Sequence, residues 1–561
     1  MKSREPVNLN KKLQILDERD MLKRFNSISK SAEIVQYLSE GKFYLFKGAD
    51  VLDFKEGIDW EYEHSHSQAT YQLYLHSLDI IAHLCDQYTA TKEVQLLERS
   101  LEILNSWIQY DNSLPDDPPI KMWSDHSAAC RSLTITFFYM LSRNLLTLDE
   151  SMIYDCLVKH AHFLYKDSNY SLNNHGIMMD RALISLAIIL ANHKKSSKWK
   201  NKAMSRIEIA FYRDFSKKGT HLENSPDYHF MVMNFFISTE VFLNKNNLTL
   251  GKKFENRLEL AKKYFQYLAK PDKKRPMLGD SSSSEKVYDE KKYDNFIDTQ
   301  AGIAILQHLN RDDPNLSTWL SFVCGYGSKA HKHHDDLSFT LFWKGKDIFV
   351  DSGKYNYDRN NKYRSYIISP LAHNTITIAG LTYQLGSPKS AKKKITITDF
   401  TSNSIYDLVK GKNMNYRGME VYRTLIFLKP NNVIIYDKVL SKNAIKGLQL
   451  FNLAVGTKII ATKEKSVIME SGKDKVEIIS LLDIDDIIVY HGDRQTPRAV
   501  ISQKFAALTD ISQIEISKQG TNLEFLTLIK MGESILPEIS YDQKNNQLKI
   551  KTNTHESSLI L

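Results

Sequence analysis

Leu337–Gly353 reads LSFTLFWKGKDIFVDSG, two alternating runs joined at Lys344-Gly345-Lys346. Successive side chains of a strand point to opposite faces, so this stretch predicts an antiparallel hairpin. NTITIAGLTYQ, YRTLIFLKPNNVIIYDKVL and KVEIISLLDIDDIIVYHG repeat the pattern, and short β-rich runs broken by Asn, Gly, Lys and Asp continue to Leu561. No alternation of strands with helices intervenes, so an antiparallel β-sandwich is the expected architecture.

Before about residue 320 the apolar period lengthens to that of a helix. In YQLYLHSLDIIAHLC (Tyr71–Cys85), Leu73, Leu75, Leu78, Ile80, Ile81 and Leu84 fall on one broad face. VQLLERSLEILNSWI, SLTITFFYMLSRNLL, RALISLAIILANH and FMVMNFFISTEVFL follow suit, with polar turns between them. A long series of helix pairs predicts an (α/α) toroid or a helical solenoid, without a fixed-period repeat. The chain therefore reads as an α+β multidomain protein: an N-terminal extension over 1–50, a helical domain over 51–320 and a β-sandwich over 321–561. FYLFKG (Phe43–Gly48) reads as a small strand within the extension.

The composition is that of an ordinary globular protein. Of 561 residues, 42% are hydrophobic and 25% charged, which excludes fibrous and disordered classes. The net charge of +9 suits an acidic ligand but falls short of a nucleic-acid footprint, which needs clustered charge. Cys85, Cys130, Cys156 and Cys324 lie far apart and form no CxxC pair, against a disulfide framework or a cysteine metal site. MKSREPVNLNKKLQILDERD lacks the apolar core of a secretory signal. This predicts a cytoplasmic protein, or a periplasmic or secreted one if the numbering starts after a removed signal. The longest apolar stretch, Ala182–Ala191, is too short to span a bilayer, so a soluble chain is expected.

Three segments carry candidate chemistry. HKHHDDLSF (His331–Phe339) leads into the hairpin; on a strand, His331, His333 and Asp335 would share a face. Asp351 follows on the next strand and His373 in LAHNT. Two imidazoles and a carboxylate on neighbouring strands suit a tetrahedral zinc with one open position; a solvated polar edge is the alternative. SLNNHGIMMD (Ser171–Asp180) places Asn173, Asn174 and His175 at a helix start, where an amide caps the helix or binds a ligand carboxylate. HLENSPDYHF (His221–Phe230) offers Tyr228 as an acid or base, with Glu223 and Asp227 as a carboxylate pair of glycosidase type. Trp123 and Arg131 in WSDHSAACR, and Arg364 in KYRSYIISP, are candidates for an aromatic platform and for binding anionic sugar. MLGDSSSSE (Met277–Glu285) reads as a loop. Walker, GxGxxG and GxSxG signatures are absent.

Taken in order, NNHG, ENSPDYH, the HKHHDDLSF run, FVDSGKYNY and RSYIISPLAHNT resemble the heparinase II/III family of polysaccharide lyases, over about residues 120 to 380. The resemblance implies an incomplete (α/α) toroid joined to an antiparallel β-sandwich, with a site in the cleft between them. It implies β-elimination on an acidic polysaccharide or oligosaccharide containing uronic acid, heparan-sulfate-like or a bacterial exopolysaccharide. By it, Asn174 neutralises the substrate carboxylate with His175 beside it, Tyr228 and His331 are catalytic, and His333, Asp351 and His373 hold one structural zinc. A monomer or homodimer is expected, with no nucleic-acid partner and no membrane span. Two other readings are a glycoside hydrolase using Glu223 and Asp227 or Asp125, and a non-catalytic, metal-stabilised carbohydrate-binding protein.

Overall fold

The computed structural model describes residues 12–24, 31–45, 50–53, 57–64, 68–114, 121–284, 288, 290–533, 537–551 and 556–561. The extreme N-terminus and the last three residues of FYLFKG lie outside the described residues. Lys42–Phe43, at the start of that segment, pairs with Leu52–Asp53. The chain forms two compact units. One comprises Met1–Arg213 with Asn234–Glu255, the other Asp214–Met233 with Asn256–Leu561.

The first unit is helical: α1 (Ser31–Ser39), α2 (Gln68–His76), α3 (Asp79–Thr91), α4 (Gln95–Ser113), α5 (Asp125–Ser142), α6 (Glu150–Tyr165), α7 (Asn174–Ile189) and α8 (Ser196–Asp214). It also takes in the later part of α9 (Pro226–Lys245). Polar side chains start these helices. Ser124 accepts from the Ser127 amide, Asp149 from Met152 and Asn173 from His175, and each cap contributes about 1 kcal/mol. Successive helices pack on one another, α3 on α4, α5 on α6 and α6 on α7, in the manner of an incomplete (α/α) toroid. Helices α5 and α7 are buried almost all round, as befits the inner members of such an array.

The Tyr71–Cys85 pattern spans two helices rather than one. The break falls at Ser77-Leu78, where Leu78 takes a left-handed φ of 57°. The His76 carbonyl freed at that break accepts a hydrogen bond from Arg131, so the loss of helical bonding is compensated inside the core.

The second unit is an antiparallel β-sandwich. Its strands begin at Phe296, earlier than the expected boundary near 320. A short apolar run such as Ile303–His308 (IAILQH) does not reveal its period, which explains the difference. Phe296–Asp298, Ile303–His308, Thr318–Val323, Ser338–Trp343 and Lys346–Phe349 form one sheet in chain order. A ten-stranded sheet is built around two long strands, Asn432–Asn452 and Ser512–Met531. Phe322, Phe339 and Leu341 of the smaller sheet share a core with Val433, Ile435 and Phe525 of the larger. Ile434 and Tyr436 face a second core that also takes in Leu548 and Ile550. Burial on both faces accounts for the unbroken apolar run NVIIY.

One buried ion pair fixes the sandwich where the candidate residues emerge. The Arg423 guanidinium bonds Asp437 at 2.6 and 2.7 Å and donates to the Leu337 and Asn374 carbonyls, both at 2.8 Å. Those two residues end the segments that carry His331–Asp335 and His373.

Candidate active site and metal centre

In the sandwich unit, three loops are knitted together. Asn224 of the ENSPDYH segment donates to the carbonyls of Ser328 (2.8 Å) and Ala330 (2.9 Å), which sets the turn bearing His331. Ser225 donates to the Asp280 carbonyl at 3.0 Å. Gly279 adopts φ +52°, and a Cβ there would sit 2.7 Å from the Asn224 carbonyl oxygen, so this contact requires glycine.

Residues 331–335 form a turn, not the expected strand, and the strand starts at Ser338. His331 (φ 56°) and Leu337 (φ 66°) are left-handed, which abolishes the alternation that would align His331, His333 and Asp335. Asp335 instead joins a buried ion pair with Lys332, and Lys332 also pairs with Asp336 at 3.1 Å. His334 turns aside against the Tyr383 ring, 5.0 Å away.

The tyrosine and the histidine meet face to face. The Tyr228 and His331 rings stack at 3.5 Å and 20°. The Tyr228 hydroxyl lies 2.9 Å from that of Tyr357, a residue of the GKYNY segment that the sequence reading left without a role. Burial raises the Tyr228 phenol well above its ordinary value, and the neighbouring Tyr357 adds to the effect. The phenol is therefore a proton carrier at neutral pH. His331 Nδ1 lies 3.0 Å from Asp280 Oδ2, and its Nε2 lies 3.7 Å from Glu223 Oε2.

Asp280 is the member of this cluster that the sequence reading missed. It also accepts from His333 Nε2 at 2.8 Å and from both terminal nitrogens of Arg364, at 2.5 and 3.0 Å. Burial alone would raise its pKa. Its hydrogen bonds to His331 and His333, with the Arg364 guanidinium, instead hold it far below the usual carboxylate range. A lone Asp in a Gly/Ser loop carries no spacing signal; the glycine before it is the only clue. Arg364 is thereby corrected: it is buried and committed to Asp280, leaving no fork for a sugar carboxylate.

His333, Asp351 and His373 converge as predicted. All three are buried, and one ligand atom from each lies within 4.8 Å of the others. Asp351 follows the strand Lys346–Phe349, and His373 follows the turn Pro370–Ala372. Asn374 pins that turn by donating to the carbonyls of Phe339 (2.7 Å) and Val350 (3.0 Å). His333 Nδ1 and both His373 nitrogens are buried without a hydrogen-bond partner. His373 Nδ1 and Asp351 Oδ2 are 3.3 Å apart, but their geometry is not that of a hydrogen bond. Orphaned imidazole nitrogens beside a buried carboxylate fit a metal ion, which would take one nitrogen from each ring.

In the helical unit, Asn174 and His175 occupy the first turn of α7, and Asn173 is its cap. Gly176 is forced by packing, since a Cβ would lie 2.0 Å from the Ser171 carbonyl oxygen. Among the described residues the Asn174 amide has no hydrogen-bond partner. His175 Nδ1 lies 3.2 Å from Asp125 Oδ2, and its ring meets that of His126 edge-on at 5.4 Å. Burial opposes ionisation of Asp125, but bonds from His175 and Ser171 outweigh it and hold the carboxyl low.

Arg131 is corrected as a sugar-binding candidate. It is fully buried, lies between the Trp107 and Trp123 rings at 4.1 and 4.8 Å, and bonds His160 at 2.8 Å and Met122 O at 3.0 Å. Trp123 is one wall of that cage, and its indole donates to Asp111 at 2.8 Å. Its role here is packing around a buried cation rather than presenting an open platform.

An (α/α) toroid followed by an antiparallel sandwich, with a stacked Tyr–His pair and a buried His/Asp/His cluster, defines a known two-part architecture. The heparinase II/III N-terminus model matches residues 8–302 and the heparinase II/III-like C-terminal model matches 299–542, so the chain belongs to the heparinase II/III family. It is 20% identical over 474 residues to a heparin-sulfate lyase of Bacteroides thetaiotaomicron, covering 75% of this chain and 65% of that protein. It is 20% identical over 316 residues to a heparin-sulfate lyase of Pedobacter heparinus, covering 50% of this chain and 47% of that protein. The chain thus spans about half to just under two thirds of these curated relatives. Among solved structures, heparinase III aligns with TM-score 0.79 at 17% identity, over 99% of this chain and 93% of that one. A mutant of heparan sulfate lyase HepC from Pedobacter heparinus aligns with TM-score 0.74 at 15% identity, over 98% and 92%. These likenesses establish the fold. No helix among the described residues is long and apolar enough to cross a membrane.

Proposed function

We propose that this protein is a polysaccharide lyase that cleaves a uronate-containing polymer of the heparan sulfate class by β-elimination. The observation that carries the reading is the stacked Tyr228–His331 pair, with one imidazole nitrogen bonded to Asp280 and the phenol held protonated. In β-elimination a base removes the C5 proton, that electron pair becomes the C4–C5 double bond, and the C4–O bond breaks toward the leaving sugar. His331 Nε2 takes the C5 proton; Tyr228 would take it only as the phenolate, for a uronate epimer that presents the proton on its face. Tyr228, which burial keeps neutral, supplies a proton to the leaving oxygen. Asn174 bonds the uronate carboxylate and disperses the charge that develops there, with His175 beside it. His333, Asp351 and His373 would hold one zinc ion, which ties three loop segments together and so steadies the turn bearing His331.

A glycosidase would need one carboxyl kept protonated near neutral pH. Of the glycosidase candidates, Asp125 is held low and Asp227 is engaged by Arg275 at 2.8 Å, so only the buried Glu223 suits the protonated role and the second carboxyl of a pair is already committed. The test is ultraviolet absorbance during incubation with heparan sulfate, heparin, hyaluronan, chondroitin sulfate, alginate and a glucuronate-rich exopolysaccharide. A rise from the unsaturated uronate on heparan sulfate is expected. New reducing ends without that absorbance would overturn the reading in favour of a hydrolase.

A further inference from the structure

Asp280 contacts both halves of the sandwich unit's constellation. One of its oxygens faces Nδ1 of His331 at 3.0 Å, and the other faces Nε2 of His333 at 2.8 Å. The two terminal nitrogens of Arg364 grip the same two oxygens. A carboxylate in such a fork only accepts hydrogen bonds, so each nitrogen facing it must carry a hydrogen. A neutral imidazole carries a single N–H, so the opposite nitrogen of each ring keeps its lone pair. On His333 that nitrogen is Nδ1, buried without a hydrogen-bond partner, in the ring that clusters with Asp351 and His373. On His331 it is Nε2, the nitrogen directed away from Asp280 toward Glu223.

We infer that Asp280 sets the tautomers of His331 and His333 together, so that one carboxylate prepares a metal-ligand nitrogen on one ring and a proton-accepting nitrogen on the other. Asp280 is a positioning residue, and Arg364 holds it in place. Carboxylates behind metal-bound histidines are a general device. Here the same carboxylate is shared with the histidine assigned to acid–base work, so the metal centre and that histidine are oriented through one group. The catalytic half of this inference rests on the lyase reading.

The test is Asp280→Asn in the full-length protein. Asparagine keeps the size but offers a single acceptor oxygen, so it cannot accept from both rings in their present arrangement. Zinc affinity is measured by competition with a chelator, and kcat and KM are measured on heparan sulfate at saturating zinc. Zinc affinity should fall about 10- to 100-fold. With zinc saturating, kcat should still fall by at least about 10-fold while KM stays within about 2-fold, as befits loss of an oriented proton acceptor. A fall in zinc affinity with wild-type kcat would overturn the shared role, as would a fall in kcat with wild-type zinc affinity. Should Asp280→Asn fail to fold, Arg364→Gln loosens the same carboxylate and should move both readouts in the same directions; unchanged values would overturn the inference. A wild type inactive on every polymer overturns the lyase reading alone, and the zinc measurement still decides whether Asp280 orients His333.

Discussion

In the helical unit, His76, His83, His126 and His160 are buried among apolar and aromatic groups with arginines nearby. In the sandwich unit, His331 and His333 share the Asp280 carboxylate, and His373 lies against Asp351. Burial first, and Arg131 or Arg24 second, drives His76 and His126 down to about 3. The same causes drive His83 to about 4 and His160 well below its ordinary value. Around the candidate site the sandwich unit sets His331, His333 and His373 against carboxylates instead, although its His229, buried among aromatic rings, is driven down to about 3 as well. The buried histidines of the helical core are kept unprotonated; the His331–His333–His373 cluster gathers groups that hold or exchange protons.

The sharpest way to break this contrast is to remove the proton carrier. Tyr228→Phe keeps the stacked ring but loses the hydroxyl, and kcat should fall by about 10²- to 10⁴-fold with the fold intact by circular dichroism. Near-normal turnover would strip the sandwich unit of its assigned chemistry. The helical unit's proposed share is smaller. Asn174→Ala removes one hydrogen-bond donor, for which a loss of about 10²- to 10³-fold in kcat is expected. Unchanged kinetics would leave that unit without a role in charge stabilisation.

Purified wild type should carry about one zinc per chain, which His373→Ala should lose, along with thermal stability. Metal analysis together with a melting curve decides this, and well-folded wild type without zinc would refute it. The smallest effect concerns acid. His76, His83 and His126 bind fewer protons folded than unfolded between about 6.5 and 3, so they cost no stability above about 6.5. Each destabilises the unit progressively as pH falls through that window, by about 1.4 kcal/mol per unit of pKa separation. His126→Phe should flatten the decline in melting temperature between pH 6.5 and 4; an unaltered slope would contradict the buried-neutral assignment.

The parts legible in sequence were those with a period or an ordered set of motifs. Alternation in LSFTLFW predicted a strand, and Ser338–Trp343 is one. The apolar period of RALISLAIILANH predicted a helix, which α7 supplies up to Ile189. A recurrence of histidines and aspartates in a strand-rich stretch pointed to the cluster, and the resemblance to the heparinase II/III family singled out His333, Asp351 and His373, which do converge. What escaped lacks periodicity. The left-handed Leu78 divides one apolar pattern into two helices, and left-handed His331 turns an expected strand into a bend. Arg131 and Arg364 looked like anion-binding residues because sequence does not reveal burial. One is caged by tryptophans and the other neutralises Asp280. Asp280 escaped because its partners lie 51, 53 and 84 residues away in the chain.

The central claim is elimination rather than hydrolysis, and the masses of the products test it most directly. A heparan sulfate oligosaccharide of defined length is digested to completion and the fragments are weighed by mass spectrometry. Elimination adds nothing, so the fragment masses should sum to that of the parent, with the unsaturated uronate on the non-reducing fragment end created at each cut. Fragments summing to the parent plus one water per cut would contradict the account.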